Sequence, residues 1–274
     1  MIVFPNCKIN LGLHILYKRD DGFHELNTVF YPLALNDCLE IIPSKNGKSA
    51  IGSSGLSIPA SKNDNLCEQA WQLMHNVYQV PPLQMHLHKR IPIGAGLGGG
   101  SANATFTLKA INDMFGLKLP DEELLQLAAR LGSDCPFFVY NTPCIASGRG
   151  EILKPIELNL KGFTIVLVMP PLHISTREAF ASIKPGYPEL QLSEIIKTPV
   201  KEWSSLLSND FEPGIFKQYP IIAEIKDKLY NSGALYASMS GSGAAVFGLF
   251  ETTAPENLKM QFGDCFYWQE ELTH

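Results

Sequence analysis

The spacing of apolar and polar positions changes period several times along the chain. Short runs with strand character open it, at Cys7 to Tyr17, Asn27 to Leu35 and Cys38 to Ile42, each bounded by polar turns. A polar stretch from Pro43 to Asp64 follows. After it, Leu66, Ala70, Leu73, Met74 and Val77 recur at helical spacing, with Asp64 or Asn65 as the cap. Gln84-Met85-His86-Leu87-His88 alternates as a strand does, and a glycine-rich turn follows directly after Lys89-Arg90-Ile91-Pro92. Beyond the turn the pattern predicts a helix over Ala102 to Met114 capped by Ser101, and another over Asp121 to Leu131 closed by Gly132. Ser133-Asp134-Cys135-Pro136 leads from there into Phe137-Phe138-Val139-Tyr140, whose apolar run predicts a strand.

The second half alternates again. It predicts a strand at 163–169, helices at about 176–183, 200–207 and 220–231, strands at 235–239 and 244–250, a helix at 256–262 and a last strand at 264–269. That succession points to an antiparallel α+β sandwich of the ferredoxin-like kind. A chain of 274 residues is long enough for two lobes, and the expected division is 1–149 and 150–274. The composition around residue 150 is not that of a flexible linker.

Composition narrows the functional classes. With 45% hydrophobic and 18% charged residues the chain can bury a sizeable core. Its net charge of −5 disfavours nucleic acid, whose nonspecific binding rests on Lys and Arg neutralising phosphates. The six cysteines include no Cys-x-x-Cys pair and are expected to be reduced thiols in cytosol. The opening Met1-Ile2-Val3-Phe4-Pro5-Asn6 lacks the features of a signal peptide. The longest apolar stretch, Phe163 to Leu172, is about half of the roughly 20 residues that a membrane helix needs and carries Pro170 and Pro171, so it reads as a buried strand. A cytoplasmic protein with neither nucleic-acid nor membrane partners is the expectation.

Chemistry concentrates at the turn Gly94-Ala95-Gly96-Leu97-Gly98-Gly99-Gly100-Ser101, where five of seven positions from 94 to 100 are glycine. Such a turn lets the backbone approach a ligand with several N–H groups, and the helix start behind it adds partial positive charge. Strand, glycine turn and helix in that order suit a phosphate. The pattern G-x-x-x-x-G-K-[ST] fails for want of a lysine. G-x-G-x-x-G matches at Gly94, Gly96 and Gly99, but the acidic residue about 20 positions on, at the end of a second strand, is missing: Asp113 falls inside a helix and Asp121-Glu122 at a helix start. The later motifs of a protein kinase are absent as well.

Other polar groups are placed to serve such a site. Lys8 and Asn10 lie two apart on one strand and share a face, either toward a polar pocket or toward solvent at an edge. Asp134 is either a turn residue or a carboxylate held at an inner rim. Phosphoryl transfer to an alcohol needs a carboxylate for the hydroxyl proton and a cation beside it, which makes Lys8 with Asp134 the catalytic candidates. Arg19-Asp20-Asp21-Gly22-Phe23-His24-Glu25 reads either as a hairpin tip or as a set that stacks on and hydrogen-bonds a heterocycle. Met239-Ser240-Gly241-Ser242-Gly243-Ala244 is a second small-residue loop, either a plain hairpin turn or a presenter of backbone N–H groups. His86 and His88 face one way without a third ligand and read as structural, and no metal ligand set is expected.

In this order, Lys8-Ile9-Asn10-Leu11, Pro92 through Ala102 and Ser240-Gly241-Ser242-Gly243-Ala244 resemble the motifs of the GHMP kinase family, the group of galactokinase, homoserine kinase and mevalonate kinase. The resemblance spans nearly the whole chain. It implies an α+β, two-lobed GHMP kinase fold with a ribosomal protein S5 domain 2-like N-terminal lobe, a ferredoxin-like C-terminal lobe and the active site in the cleft between them. It also implies ATP as co-substrate with Mg²⁺, a small-molecule alcohol as acceptor, and a monomer or weak homodimer. The string Arg19 to Leu26, with Ser208-Asn209-Asp210-Phe211-Glu212 and Gly148-Arg149-Gly150-Glu151, is similar to the members that act on a cytidine diphosphate-linked methylerythritol. The implied reaction is transfer of the ATP γ-phosphoryl group to the tertiary 2-hydroxyl.

Carried across by motif, Asp134 takes the place of the family's catalytic aspartate and Lys8 that of the supporting lysine. Pro92, Ile93, Gly94, Ala95, Gly96, Leu97, Gly98, Gly99, Gly100, Ser101 and Ala102 match the ATP-phosphate loop, with Asn65 and Lys89 near the adenosine contacts. On the substrate side stand Asn10, Ser240, Gly241, His24 as a hydrogen-bond partner of cytosine, and Phe180 as a stacking ring. Phe23 departs from the usual tyrosine, keeping the stacking face without the hydroxyl, and Cys7 replaces a small residue. Two other readings stand beside this one. One is a family member acting on homoserine, mevalonate or a sugar; the other is a non-catalytic nucleotide-binding protein on the same fold.

Overall fold

In the computed structural model, which describes residues 1–58 and 65–273, a short strand β1 (Ile2–Val3) precedes two 13-residue strands, β2 (Asn6–Lys18) and β3 (His24–Asn36). Strands β4 (Cys38–Pro43) and β5 (Ala50–Gly55), helix α1 (Leu66–Tyr78), strand β6 (Leu83–Lys89) and helices α2 (Gly99–Met114), α3 (Asp121–Leu131) and α4 (Phe137–Tyr140) follow. The chain forms two compact units. The first gathers Met1–Lys8, Pro32–Ile93 and Gly98–Thr142; the second gathers Ile9–Tyr31, Gly94–Leu97 and Pro143–His274.

In the first unit a sheet of order β1-β4-β6-β5 carries α1, α2 and α3 over a core that includes Leu39, Ile41, Met74, Leu87, Leu108, Ile111 and Leu127. Helix α1 forms where the periodicity places it. Cys67, Ala70, Leu73 and Met74 are its buried stripe, the Cys67 N–H donates to Asn65 Oδ1 at 2.9 Å, and Gln79 in a left-handed conformation ends it. The alternative cap, Asp64, lies outside the described residues, as do 59–64 of the polar stretch. Within the rest of that stretch, Ala50–Gly55 pairs in parallel with β6. Small polar residues at a sheet edge give no apolar alternation, so backbone pairing alone makes this strand. Ser54 Oγ lies 2.9 Å from His86 Nε2 and 3.0 Å from His88 Nδ1.

Two further expectations are corrected here. Phe137–Tyr140 is a helical turn rather than a strand, since Pro136 at φ −56° and ψ −32° already sets the helical course. Helix α2 starts at Gly99, with Gly98 as its cap residue, so Ser101 sits inside the first turn and caps nothing. Gly99 and Gly100 take helical dihedrals readily enough to extend the helix backward into the glycine run.

The second unit holds β7 (Cys144–Ser147), β8 (Ile152–Pro155), β9 (Thr164–Met169), α5 (Thr176–Ala181), α6 (Leu192–Ile195), α7 (Trp203–Leu206), α8 (Glu212–Gln218), α9 (Pro220–Asn231), β10 (Tyr236–Met239), β11 (Val246–Phe250) and β12 (Phe266–Glu271). Strands β10-β11-β9-β12 form an all-antiparallel sheet. Strand β11 inserts between β9 and β10, which run parallel and are joined by the α5–α9 segment; this is the split βαβ arrangement of a ferredoxin-like sheet. The helix expected at 256–262 is only a 3₁₀ turn, Leu258–Phe262. A second sheet, β2-β3-β7-β8, draws on β2 and β3, with Thr28, Val29 and Phe30 facing Ala146, Ile145 and Cys144. Ile222, Ile225 and Leu229 of α9 fill the core under β9 and β11. The six cysteines are thiols, with no disulfide among the described residues. No helix among them is long and apolar enough to cross a membrane.

One buried polar cluster organises the first unit. Asp37, fully buried, pairs with Lys89 and accepts from Asn103 Nδ2 (2.8 Å), Arg90 N–H (2.7 Å) and Ile91 N–H (2.9 Å). It fastens the end of β6 to α2 and fixes the backbone just ahead of the glycine turn. Removing one partner of a buried ion pair leaves the other charge unpaired, at a cost of about 3–5 kcal/mol. Asp37→Ala is therefore expected to lower unfolding free energy by about that amount in urea titration; a loss under about 1 kcal/mol would show that the cluster is not structural.

Candidate active site

Each unit holds a group of candidate residues. In the first, the glycine turn meets the pair singled out from sequence. Lys8, 3% exposed, directs Nζ to Asp134 Oδ2 at 3.2 Å, and the Asp134 side chain is about a third exposed. The lysine stem lies against Gly98, where an added Cβ would stand 3.1 Å from Lys8 Cε and 3.1 Å from Phe138 Cζ. Gly98 also has φ +66°, in the left-handed region, so both the backbone and the packing favour glycine. The pair is thereby set beside the start of α2. There the first intrahelical bond of the cap runs from Ala102 N–H to Gly98 O at 2.8 Å. The N–H groups of Gly99, Gly100 and Ser101 precede it and point out of the helix start, with no side-chain cap over them. A phosphate fits this cradle.

Asp134 itself lies on the turn between α3 and α4. Its neighbour Cys135 accepts at its carbonyl from Thr105 Oγ1 of α2 at 2.8 Å, and Cys135 N–H donates to Gly132 O at 3.2 Å. Both ends of the turn are fixed, which holds the carboxylate at the rim. Burial pushes the Cys135 thiol up to about 12, with the Asp134 charge adding to the effect.

Lys89 and Asn65 stand nearby with structural duties. Lys89 is 4% exposed and committed to Asp37 and to Asn103 Oδ1 at 3.2 Å, while an added Cβ at Gly99 would lie 3.0 Å from its Nζ. It supports the turn from behind. Asn65 caps α1, and its neighbour Leu66 would lie 3.5 Å from a Cβ at Gly100, so the starts of α1 and α2 adjoin. Pro92 is buried and Ile93 half-buried on the approach to the turn, and Ala102 is buried in the first turn of α2.

In the second unit, Gly94, Ala95, Gly96 and Leu97 pack with the later small-residue loop. Ser240 Oγ donates to Gly96 O at 2.9 Å and accepts the Asn10 N–H at 3.2 Å, and Ala245 N–H donates to Ala95 O at 3.2 Å. A Cβ at Gly241 would meet Asn10 Oδ1 and Gly96 Cα, each at 3.3 Å. Asn10, 3% exposed, also donates from Nδ2 to Thr28 Oγ1 at 3.0 Å. The loop that sequence leaves open as a plain hairpin turn is thus in contact with Ala95 and Gly96.

The aromatic group is arranged differently from a simple sandwich. His24 and Phe180 stack on each other, centroids 4.8 Å apart and planes 20° from parallel, with Phe211 edge-on to Phe180 at 4.9 Å. Phe23 is exposed and lies under the Arg149 guanidinium at 4.8 Å. A base received between Phe23 and Phe180 must therefore displace or share the His24 stack. Arg149, from the Gly148-Arg149-Gly150-Glu151 string, is thus a neighbour of the candidate aromatic group. Arg19 closes the hairpin, bonding Glu25 Oε2 at 2.7 Å.

The comparisons agree on the family. Residues 65–142 match the family described as GHMP kinases N terminal domain, and 192–267 match GHMP kinases C terminal. A Bacteroides fragilis protein named 4-diphosphocytidyl-2-C-methyl-D-erythritol kinase is 51% identical over 99% of this chain and all of its own length. A Parabacteroides distasonis protein of that name is 47% identical over the full length of both. The crystal structure of a 4-(cytidine 5'-diphospho)-2C-methyl-D-erythritol kinase, 31% identical, superposes with a TM-score of 0.83 over 99% of this chain and 100% of its own.

A thiol held near 12 stays protonated at neutral and mildly alkaline pH, and only the thiolate reacts. Cys135 is accordingly expected to resist iodoacetamide at about pH 8 in the native protein and to react once guanidinium exposes it, as read by peptide mass spectrometry. Rapid native labelling of Cys135 would show that the turn carrying Asp134 is open.

Proposed function

The chain belongs to the GHMP kinase family, and on that premise we propose that it phosphorylates the 2-hydroxyl of 4-diphosphocytidyl-2-C-methyl-D-erythritol with ATP. The products are the 2-phosphate and ADP, in the non-mevalonate isoprenoid pathway. The observation that carries the chemistry is the Lys8–Asp134 pair, laid against Gly98 at the start of α2.

Asp134 orients the acceptor hydroxyl and takes its proton as the oxygen attacks the γ-phosphorus, and the bond to the β-phosphate oxygen breaks to release ADP. Lys8 offsets the charge that builds on the transferring group. The first-turn N–H groups of α2 hold phosphate oxygens, which costs no reorganisation because the helix already points them outward. A tertiary alcohol is a hindered nucleophile, so orientation supplies most of the acceleration, and proton removal contributes about 10²–10⁴-fold. Mg²⁺ commonly binds through substrate phosphates, and bound with ATP it would neutralise phosphate charge.

On the acceptor side, Phe23, His24 and Phe180 receive the cytosine, with His24 as its hydrogen-bond partner. Asn10, Ser240 and Gly241 line the substrate side, and Asn65 and Lys89 lie toward the adenosine. In chain order the ATP-binding domain is 1–149 and the C-terminal domain 150–274. We place the protein in the cytoplasm as a monomer or weak homodimer acting on a small molecule, without nucleic-acid or membrane partners. The net charge of −5 supports the exclusion of nucleic acid.

Asp134→Asn is expected to lower kcat by about 10²–10⁴-fold in an assay of ADP release with the cytidine diphosphate substrate; activity within about tenfold of wild type would remove Asp134 from the base role. Lys8→Ala is expected to lower kcat more than it raises KM, and the reverse would make Lys8 a binding residue only. The same assay run with homoserine, mevalonate and galactose separates the proposed substrate from those of other family members.

A further inference from the structure

Ser208-Asn209-Asp210-Phe211-Glu212 helps to identify the family member, yet none of these residues enters the chemistry above. Their placement in the second unit gives them a task. Asn209 is 2% exposed, and its Nδ2 donates to Met239 O at 2.8 Å and to Gly241 O at 2.9 Å. Those are the carbonyls on either side of Ser240. The amide thus grips the peptide unit that enters Ser240 and the one that leaves Gly241, bracketing the serine whose hydroxyl reaches Gly96 O and whose oxygen accepts from Asn10 N–H.

The grip is itself anchored. Leu13 N–H donates to Ser208 O and Asp210 N–H donates to Leu13 O, both at 2.9 Å, which ties the segment to β2 three residues beyond Asn10. Asn209 Oδ1 accepts from Phe211 N–H at 3.0 Å, so the amide cannot rotate without losing bonds at both ends. Glu212, 7% exposed, accepts from Met239 N–H at 2.8 Å and Ser238 Oγ at 3.0 Å, and pairs with Lys226 at 2.6 Å. Asn209 and Glu212 therefore hold residues 238–241 from one side while Gly96 meets them from the other. The fit to Gly96 is close: a Cβ there would overlap the Ser240 carbonyl. A displaced Ser240 would carry Gly96 with it.

We propose that Asn209 is a positioning residue for phosphoryl transfer, setting Ser240 and through it Gly96 of the glycine turn and the backbone of Asn10. The inference rests on the kinase reading above. Wild-type ADP release with the cytidine diphosphate substrate tests that reading, whereas the ratio of variant to wild type tests this one. Only a neutral amide supplies two donors at this reach. An aspartate supplies none when ionised and sets a carboxylate against two carbonyl oxygens, and supplies one when protonated.

The test compares Asn209→Asp, Asn209→Ala, Ser240→Ala and the double variant Asn209→Ala/Ser240→Ala, with Ile222→Val in the buried core as a stability control. Thermal melting fixes the folded fraction, and kcat and KM are measured per folded enzyme. Asn209→Ala is expected to lose at least about 30-fold in kcat, and Ile222→Val to melt lower with kcat unchanged. The Asn209→Asp to wild-type ratio of kcat is expected to rise at least about fivefold from about pH 8 to about pH 5.5, as burial brings the carboxyl's titration into range and one donor returns; the Asn209→Ala ratio stays flat. The double variant is expected to lose clearly less than the product of the two single losses, as for residues acting through one contact. Should Asn209→Asp fail to fold, the Ala cycle decides alone. Kinetic constants within about threefold of wild type in Asn209→Ala, or multiplicative losses in the cycle, would overturn the proposal.

Discussion

A buried ammonium is tolerated only beside an anion that can share its desolvation, and in this protein that requirement fixes the geometry of the proposed catalytic pair. Lys8 is 3% exposed and finds Asp134 at 3.2 Å; Asp134 stands on a turn whose next residue is bonded to α2. The lysine can reach the carboxylate only because Gly98 leaves room for its stem. Pair, turn and helix start thus depend on one another, and the proposed phosphate cradle is the exposed end of the same arrangement. Behind it, Asp37 and Lys89 do for the backbone at residues 90–91 what Asp134 and Lys8 do for the site.

The long strands, α1, α3, α9 and the ferredoxin-like sheet were legible because their apolar spacing is unambiguous. So was the pairing of Lys8 with Asp134, which followed from what phosphoryl transfer needs. What could not be read was decided by backbone effects. Phe137–Tyr140 is apolar enough for a strand, but Pro136 commits it to a helical turn. Ala50–Gly55 carries too little apolar alternation to announce a strand that exists through pairing with β6. Ser101 has the chemistry of a cap, yet the glycines before it accept helical dihedrals and move the helix start to Gly99. That shift bears on the proposed phosphate cradle, since the first-turn N–H groups are left without a side-chain cap over them.

Side-chain commitments were equally hidden. Lys89 is a plausible nucleotide contact by position, but its charge is spent on Asp37, and Asn65 spends its Oδ1 on capping α1. His24 and Phe180, expected to receive a base, already stack on each other. The small-residue loop at 239–243 gave no sign in sequence that Asn209 would hold it or that Gly96 would lie against it. Such relations join residues far apart in the chain, and local pattern does not encode them.

The central claim is that Gly98 lets Lys8 lie where it can pair with Asp134, and steady-state kinetics of Gly98→Ala test it most directly. Alanine at a left-handed position costs about 1–2 kcal/mol, so the variant should still fold. The methyl group would press on the lysine stem 3.1 Å away and misplace the pair. The account predicts a fall in kcat of at least about 100-fold for a misplacement of this kind, with KM for the cytidine diphosphate substrate held within a few-fold. A folded Gly98→Ala enzyme with wild-type kcat would contradict it.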